Sequence, residues 1–128
     1  MQNDLIDRTF RLAVRILKMV ESFPNTKIAH IIGNQIGRSG SSIASNYRAA
    51  QRARSRKEFI AKIGIAEEEA DETVFWMELA IESGLLSSKK ASLLLKEATE
   101  ITAILTSIEK SAKNNLGKSA KVKGQATK

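Results

Sequence analysis

Cysteine is absent from the 128-residue chain, which excludes disulfides, thiolate catalysis and cysteine-ligated zinc and leaves the redox compartment open. One proline, Pro24, leaves long segments without a helix breaker, and nothing alternates at period two for long enough to build a sheet. Aromatic residues make up only 5% of the chain, too few for a surface platform on which bases could stack. Long apolar runs are missing as well. Over residues 1–20 the charges Asp4, Asp7, Arg8, Arg11, Arg15 and Lys18 interrupt the apolar positions, so neither an export signal nor a membrane span is expected. The cytoplasm is the expected compartment.

What the chain does have is helical periodicity. A first helix is expected over 4–23, with Phe10, Ala13, Leu17 and Val20 on its inward stripe and Pro24-Asn25 as its stop. A second, over 26–52, turns Ile28, Ile32, Ile36, Ile43 and Tyr47 inward and keeps Gln35, Ser39 and Asn46 near that face, where they need partners. Gly33, Gly37 and Gly40 each weaken an isolated helix by about 1 kcal/mol relative to alanine, so this helix depends on packing and offers close backbone approach in return.

A third helix is expected over 55–82, with Phe59, Ile63, Ala66, Ala70, Val74, Met77 and Ile81 at helical spacing. Ser55 and Glu58 read as its capping box and Ser83-Gly84 as its end. The fourth begins at Ser87 and repeats Ala91, Leu94, Ala98, Ile101, Leu105, Ile108 and Ala112 at three-four steps, the pattern of a bundle seam. Short connections make neighbours antiparallel, so the fold class is all-α, an up-down-up-down four-helix bundle over 1–114. Residues 115–128, with two glycines, four lysines and no acid, are expected to form a disordered basic tail, since they cannot offset the entropy of folding.

The formal charge is +7 and the isoelectric point about 9.9, which makes an anionic partner plausible, nucleic acid ahead of membrane or acidic protein. Four of the surplus charges, Lys118, Lys121, Lys123 and Lys128, lie in the tail and leave about +3 on the bundle. Inside the bundle the charge is polarised. Arg48, Arg52, Arg54, Arg56, Lys57 and Lys62 face one acid, Glu58, whereas residues 63–88 hold Glu67, Glu68, Glu69, Asp71, Glu72, Glu78 and Glu82 without a cation. Cations at the start of the third helix and acids toward its end both oppose the helix dipole, which suggests that these charges are used elsewhere.

Catalytic patterns are lacking. The acidic run at 67–72 resembles half of a di-metal carboxylate site, but the single histidine, His30, has Lys27 rather than a glutamate three residues before it, so no metal and no cofactor is expected. Ser39, Ser41, Ser42 and Ser45 have no activating base at helical spacing and are read as small packing residues. No phosphate-cradling glycine loop is present. The chain is therefore not expected to be an enzyme. Three uses of the basic corner stay open: phosphate binding, pairing with the acidic half of a neighbouring subunit, or a solvated surface with no partner. Phe75 and Trp76 are adjacent, so both cannot face one narrow core stripe and one is expected at another helix edge or another subunit.

Residues 38–59, RSGSSIASNYRAAQRARSRKEF, resemble the 23S rRNA intervening-sequence proteins, together with Phe10, Ala13, Gln35-Ile36, Ile65-Ala66, Glu72 and the Gly84-Leu85 turn. The resemblance implies an antiparallel four-helix bundle assembled as a ring, with a homopentamer favoured, and brings no catalytic residues. A related branch, the accessory variability proteins of diversity-generating retroelements, forms basic barrels that bind nucleic acid and a reverse transcriptase. The sequence departs from the family pattern at Ala49, Ala50, Glu68 and Glu69, which makes the corner more basic and the third helix more acidic.

The expectation is thus a non-enzymatic oligomer that binds RNA or DNA electrostatically through Arg48, Arg52, Arg54, Arg56, Lys57 and Lys62. Glu68, Asp71, Glu72 and Trp76 are placed at a subunit interface, and Arg38, Ser42 and Asn46 are structural polar residues, with Arg38 and Asn46 buried and satisfying each other or nearby carbonyls. The alternative is a protein scaffold, for instance for a reverse transcriptase, that does not itself touch nucleic acid.

Overall fold

The computed structural model describes the backbone over residues 2–126 and side chains over 4–117. Four helices follow one another, α1 (Gln2–Glu21), α2 (Lys27–Gln51), α3 (Arg56–Glu82) and α4 (Ser88–Ala126), with no strand among the described residues. Each helix packs on its sequence neighbours, and α4 returns to α1 through a sparser seam. Gly40 faces Ile16 and Gly33 faces Val20, while Arg38 reaches Glu72 and Thr106 reaches Glu67, so consecutive helices run antiparallel.

The helix ends are set by local chemistry. The Thr26 side chain accepts from the Ala29 N–H to start α2, and the Ser55 hydroxyl accepts from the Glu58 N–H, 3.0 Å away, to start α3. The Glu58 carboxylate reaches back one residue further than in a standard capping box, to the Arg54 N–H at 3.2 Å. Ser87 accepts from the Lys90 N–H to open α4. At the α3 terminus, Gly84 adopts φ +84°, a left-handed conformation that glycine takes without a Cβ clash, and Leu85 N–H closes on Ala80 O at 2.9 Å.

The core is built from Leu12, Ile16, Ile36, Ile43, Tyr47, Ile63, Met77, Ile101 and Leu105, in which α2, α3 and α4 show the inward positions expected of them apart from Ile28. On α1 the inward stripe is Leu5, Thr9, Leu12 and Ile16, while Phe10 is 59% and Leu17 48% exposed. Ile28 is likewise 57% exposed. The correction has a physical cause: α1 carries two apolar stripes, and the one containing Leu12 and Ile16 is level with the small-residue face of α2. There Gly40 leaves room for Ile16 alone, since a Cβ on Gly40 would come within 2.7 Å of its Cδ1.

The backbone of α4 runs to Ala126, past residue 114 where the bundle was expected to end, as a packed helix supplies its own nucleus and propagation needs no new one. The side chains of Lys118, Lys121 and Lys123, and all of Lys128, lie outside the described residues. No described helix is long and apolar enough to cross a membrane.

Candidate nucleic-acid interface

The short connection between α2 and α3 gathers Arg52, Arg54, Arg56 and Lys57 at one end of the bundle, all exposed. Arg52 caps α2, its N–H bonding to Ala49 O and Ala50 O, and Arg48 stands in the last turn of that helix, also exposed. Lys62 is half-buried and sits further inside α3, so it is set back from the other five. Gly64 lies against Glu109, which puts the start of α3 level with about residue 117 of α4, so the helical backbone bearing Lys118, Lys121 and Lys123 continues past the corner. Asp4 and Asp7, on α1, lie at the same end.

What sets this corner apart is the density of unpaired cations, since several cations elsewhere are paired and the other unpaired ones among the described residues, such as Lys27, Lys89 and Lys96, are spread out. Arg8 pairs with Glu97 at 2.6 Å and Glu100 at 3.1 Å, Arg11 with Asp7 at 3.0 Å, Arg38 with Glu69 at 3.0 Å and Glu72 at 2.6 Å, and Lys113 with Glu109. Among the described residues none of Arg48, Arg52, Arg54, Arg56, Lys57 and Lys62 is in an ion pair. Hydrogen bonding to Arg8 holds the Glu97 carboxyl below its ordinary value, against a smaller opposing effect of burial, and the Lys113 contact does the same for Glu109.

Arg38 is exposed, where burial was expected, and of the two arrangements expected for it and Asn46 the structure has Asn46 on a nearby carbonyl and Arg38 on carboxylates. Arg38 lies on the outer face between α2 and α3, where the long side chain crosses to Glu69 and Glu72, and Gln35 Oε1 accepts from its Nε at 3.3 Å. Asn46 instead donates to Ser42 O and Oγ, both at 2.9 Å, so the amide is satisfied within its own helix. Glu72 also accepts from Trp76 Nε1 at 3.4 Å, which ties two of the expected interface residues to the chain's own surface. Trp76 packs partly on the core, and its neighbour Phe75 is the outward ring, 54% exposed and edge-on at 5.1 Å. Glu68 and Asp71 are exposed.

Sequence reasoning missed two grooves. One, about 710 Å³, follows the sparse α1–α4 seam between Leu5, Arg8, Tyr47, Ile104 and Ile108, and burial there pushes the Tyr47 phenol up. The other, about 620 Å³, runs between α1 and α2 over Phe10, Val14, Leu17 and Ala44, with Asp7 and Arg48 at its edge. The signal for the second was present in the sequence: α1 has more apolar positions than one stripe can hold.

No curated protein matches the chain. A solved structure of a protein of unknown function from the S23 ribosomal protein family of Bacteroides thetaiotaomicron is similar to it, with 37% identity and a TM-score of 0.80 over 85% of this chain and 97% of that one. The sequence profile described as 23S rRNA-intervening sequence protein matches residues 1–107, which takes in the first three helices and about half of α4. With four helices in the expected order and that match over most of its length, the chain belongs to the 23S rRNA-intervening sequence protein family.

Proposed function

We propose that the protein is a non-enzymatic, cytoplasmic homo-oligomer, with a pentamer favoured, that binds RNA or DNA through phosphate contacts at the basic end of the bundle. The observation that supports this is the clustering of unpaired charge: Arg48, Arg52, Arg54, Arg56 and Lys57 are exposed around one short turn and, among the described residues, none is in an ion pair, whereas other unpaired cations such as Lys27, Lys89 and Lys96 are spread over the surface. Cations without an acid partner at one end of a bundle attract phosphate and repel one another, so an anion there relieves strain as well as adding contacts. Binding of this kind reads charge and carries little base specificity.

The test is the light-scattering mass of the protein with and without a short structured RNA, at low and high salt. An oligomer that gains mass with RNA at low salt and loses it at high salt supports the reading; an oligomer indifferent to RNA and DNA at low salt overturns it. The second reading, a scaffold for a protein partner such as a reverse transcriptase, is favoured by the exposed apolar side chains Phe75 and Leu79 on α3, which nucleic-acid phosphates do not use.

A further inference from the structure

Two exposed apolar surfaces lie on adjacent sides of the bundle. One is the groove over Phe10, Val14 and Leu17 between α1 and α2. The other is a ridge on the outer face of α3 formed by Ile65, Phe75 and Leu79. The ridge carries the exposed acids Glu68, Asp71, Glu78 and Glu82; of the cations near it, Arg38 is taken up by Glu69 and Glu72, and half-buried Lys62 lies a turn before Ile65. The groove has Lys18 on its α1 side and Arg48 on its α2 side, while Arg11 and Asp7 pair with each other and offset one another there, and Glu21 lies at the far end.

We infer that the ridge of one copy of this chain docks in the α1–α2 groove of the next. Ridge against ridge would bring carboxylates together, and groove against groove would bring arginines and lysine together, so a two-fold contact of either surface with itself is disfavoured. Ridge into groove is complementary in both charge and apolarity.

The heights agree as well. Gly40 lies against Ile16 of α1, and the adjacent Ser39 meets Thr73 of α3, which puts Ile16 level with about Glu72 along the bundle. Both α1 and α3 run antiparallel to α2, so they ascend together at the same rise per residue. Phe10 is then level with Ile65 and Ala66, Arg11 with Glu67 and Glu68, and Lys18 falls between Asp71 and Glu78. Phe75 comes level with Met19, just past Leu17, and Leu79 with Phe23, beyond the groove, while Arg48 is level with Gly64. Copies turned about an axis along the bundle, without a shift along it, therefore bring Ile65 against Phe10, Phe75 against the end of the groove, and Arg11 and Lys18 against acids. Because the two surfaces differ and lie on adjacent sides, the contact is heterologous and successive copies turn instead of continuing in a line.

This inference rests on the oligomer reading above and deepens it. It draws Arg11, Lys18 and Arg48 into the subunit contact, and it leaves Arg52, Arg54, Arg56 and Lys57 free. With all copies parallel, those four residues from every subunit are collected at one end of the assembly, where their fields add.

Two variants test it: Arg11→Glu with Lys18→Glu, which reverses the groove, and Glu68→Lys with Asp71→Lys, which reverses the ridge. All four positions are exposed, so helicity by circular dichroism should be unchanged. Each variant alone is expected to fall to the mass of one chain, 14.1 kDa. An equimolar mixture is expected to regain mass, since the groove of each variant then matches the ridge of the other in alternating assemblies with an even number of copies. If both variants keep the wild-type mass, or if the mixture stays monomeric, the docking is wrong while the oligomer reading stands. A wild-type protein that is itself monomeric overturns both.

Discussion

The hydroxyls of Ser39 and Thr73 lie 2.8 Å apart with both residues fully buried, at the point where α2 meets α3. The Thr73 hydroxyl is also 2.7 Å from Glu69 O, and that of Ser39 is 3.4 Å from Ile36 O, so each polar group in this apolar setting has a partner. Thr73→Val keeps the shape and removes one hydroxyl, leaving Ser39 with only its long backbone contact. A loss of about 1–2 kcal/mol is expected in urea unfolding. Ser39→Ala in the Thr73→Val background should then add little, because both partners are gone, and a fully additive double variant would show that the pair is not coupled.

Gly40 and Gly37 predict opposite signs for the same change. A Cβ on Gly40 would meet the buried Ile16 at 2.7 Å and 2.9 Å, so Gly40→Ala is expected to destabilise by about 1–3 kcal/mol despite alanine's better helix propensity. A Cβ on Gly37 would sit 3.5 Å from Leu17 Cδ2, an ordinary contact, so Gly37→Ala should stabilise by up to about 1 kcal/mol. Thermal melts of the two variants decide it, and equal effects would mean that α1 does not approach α2 at Gly40.

The Arg8–Glu97 pair clamps α1 to α4 across the sparse seam, with Arg8 Nε 2.9 Å and Nη2 2.6 Å from the carboxylate. Hydrogen bonding lowers the Glu97 pKa, so the pair contributes stability above the unfolded-state value, and that contribution is lost as pH falls through the lowered folded value. The melting temperature of Glu97→Gln is expected to lie below wild type near neutrality and to converge on it below about pH 4. Because both side chains are partly exposed, the gap at neutral pH should correspond to no more than about 1 kcal/mol. A gap that stays constant down to pH 2 would contradict the pairing.

For the basic end, Arg52→Glu with Arg56→Glu is expected to weaken RNA binding at low salt at least tenfold while leaving the oligomer mass unchanged. The logarithmic salt slope should become shallower by about one to two units. Lys62→Ala, set back and half-buried, should change binding less than Arg54→Ala. Equal effects of the two single changes would mean that the corner is not the contact surface.

The four helices, their order and nearly all of their ends were legible in the chain, because caps such as Thr26, Ser55 and Gly84 and the three-four spacing of α4 act locally, within a turn or two. The inward positions of α2, α3 and α4 were largely readable for the same reason, Ile28 apart. The sequence alone also put Arg52, Arg54, Arg56 and Lys57 together, since a short turn keeps its own residues close. Tertiary structure decided which of two apolar stripes on α1 is buried, because the choice depends on the glycine face of a different helix. It also decided that Arg38 spans to Glu69 and Glu72 while, among the described residues, the guanidinium groups of the corner are in no ion pair. Periodicity gives the faces of a helix; only packing brings the faces of separate helices to the same height, and it is that match in height that pairs some charges and leaves others free.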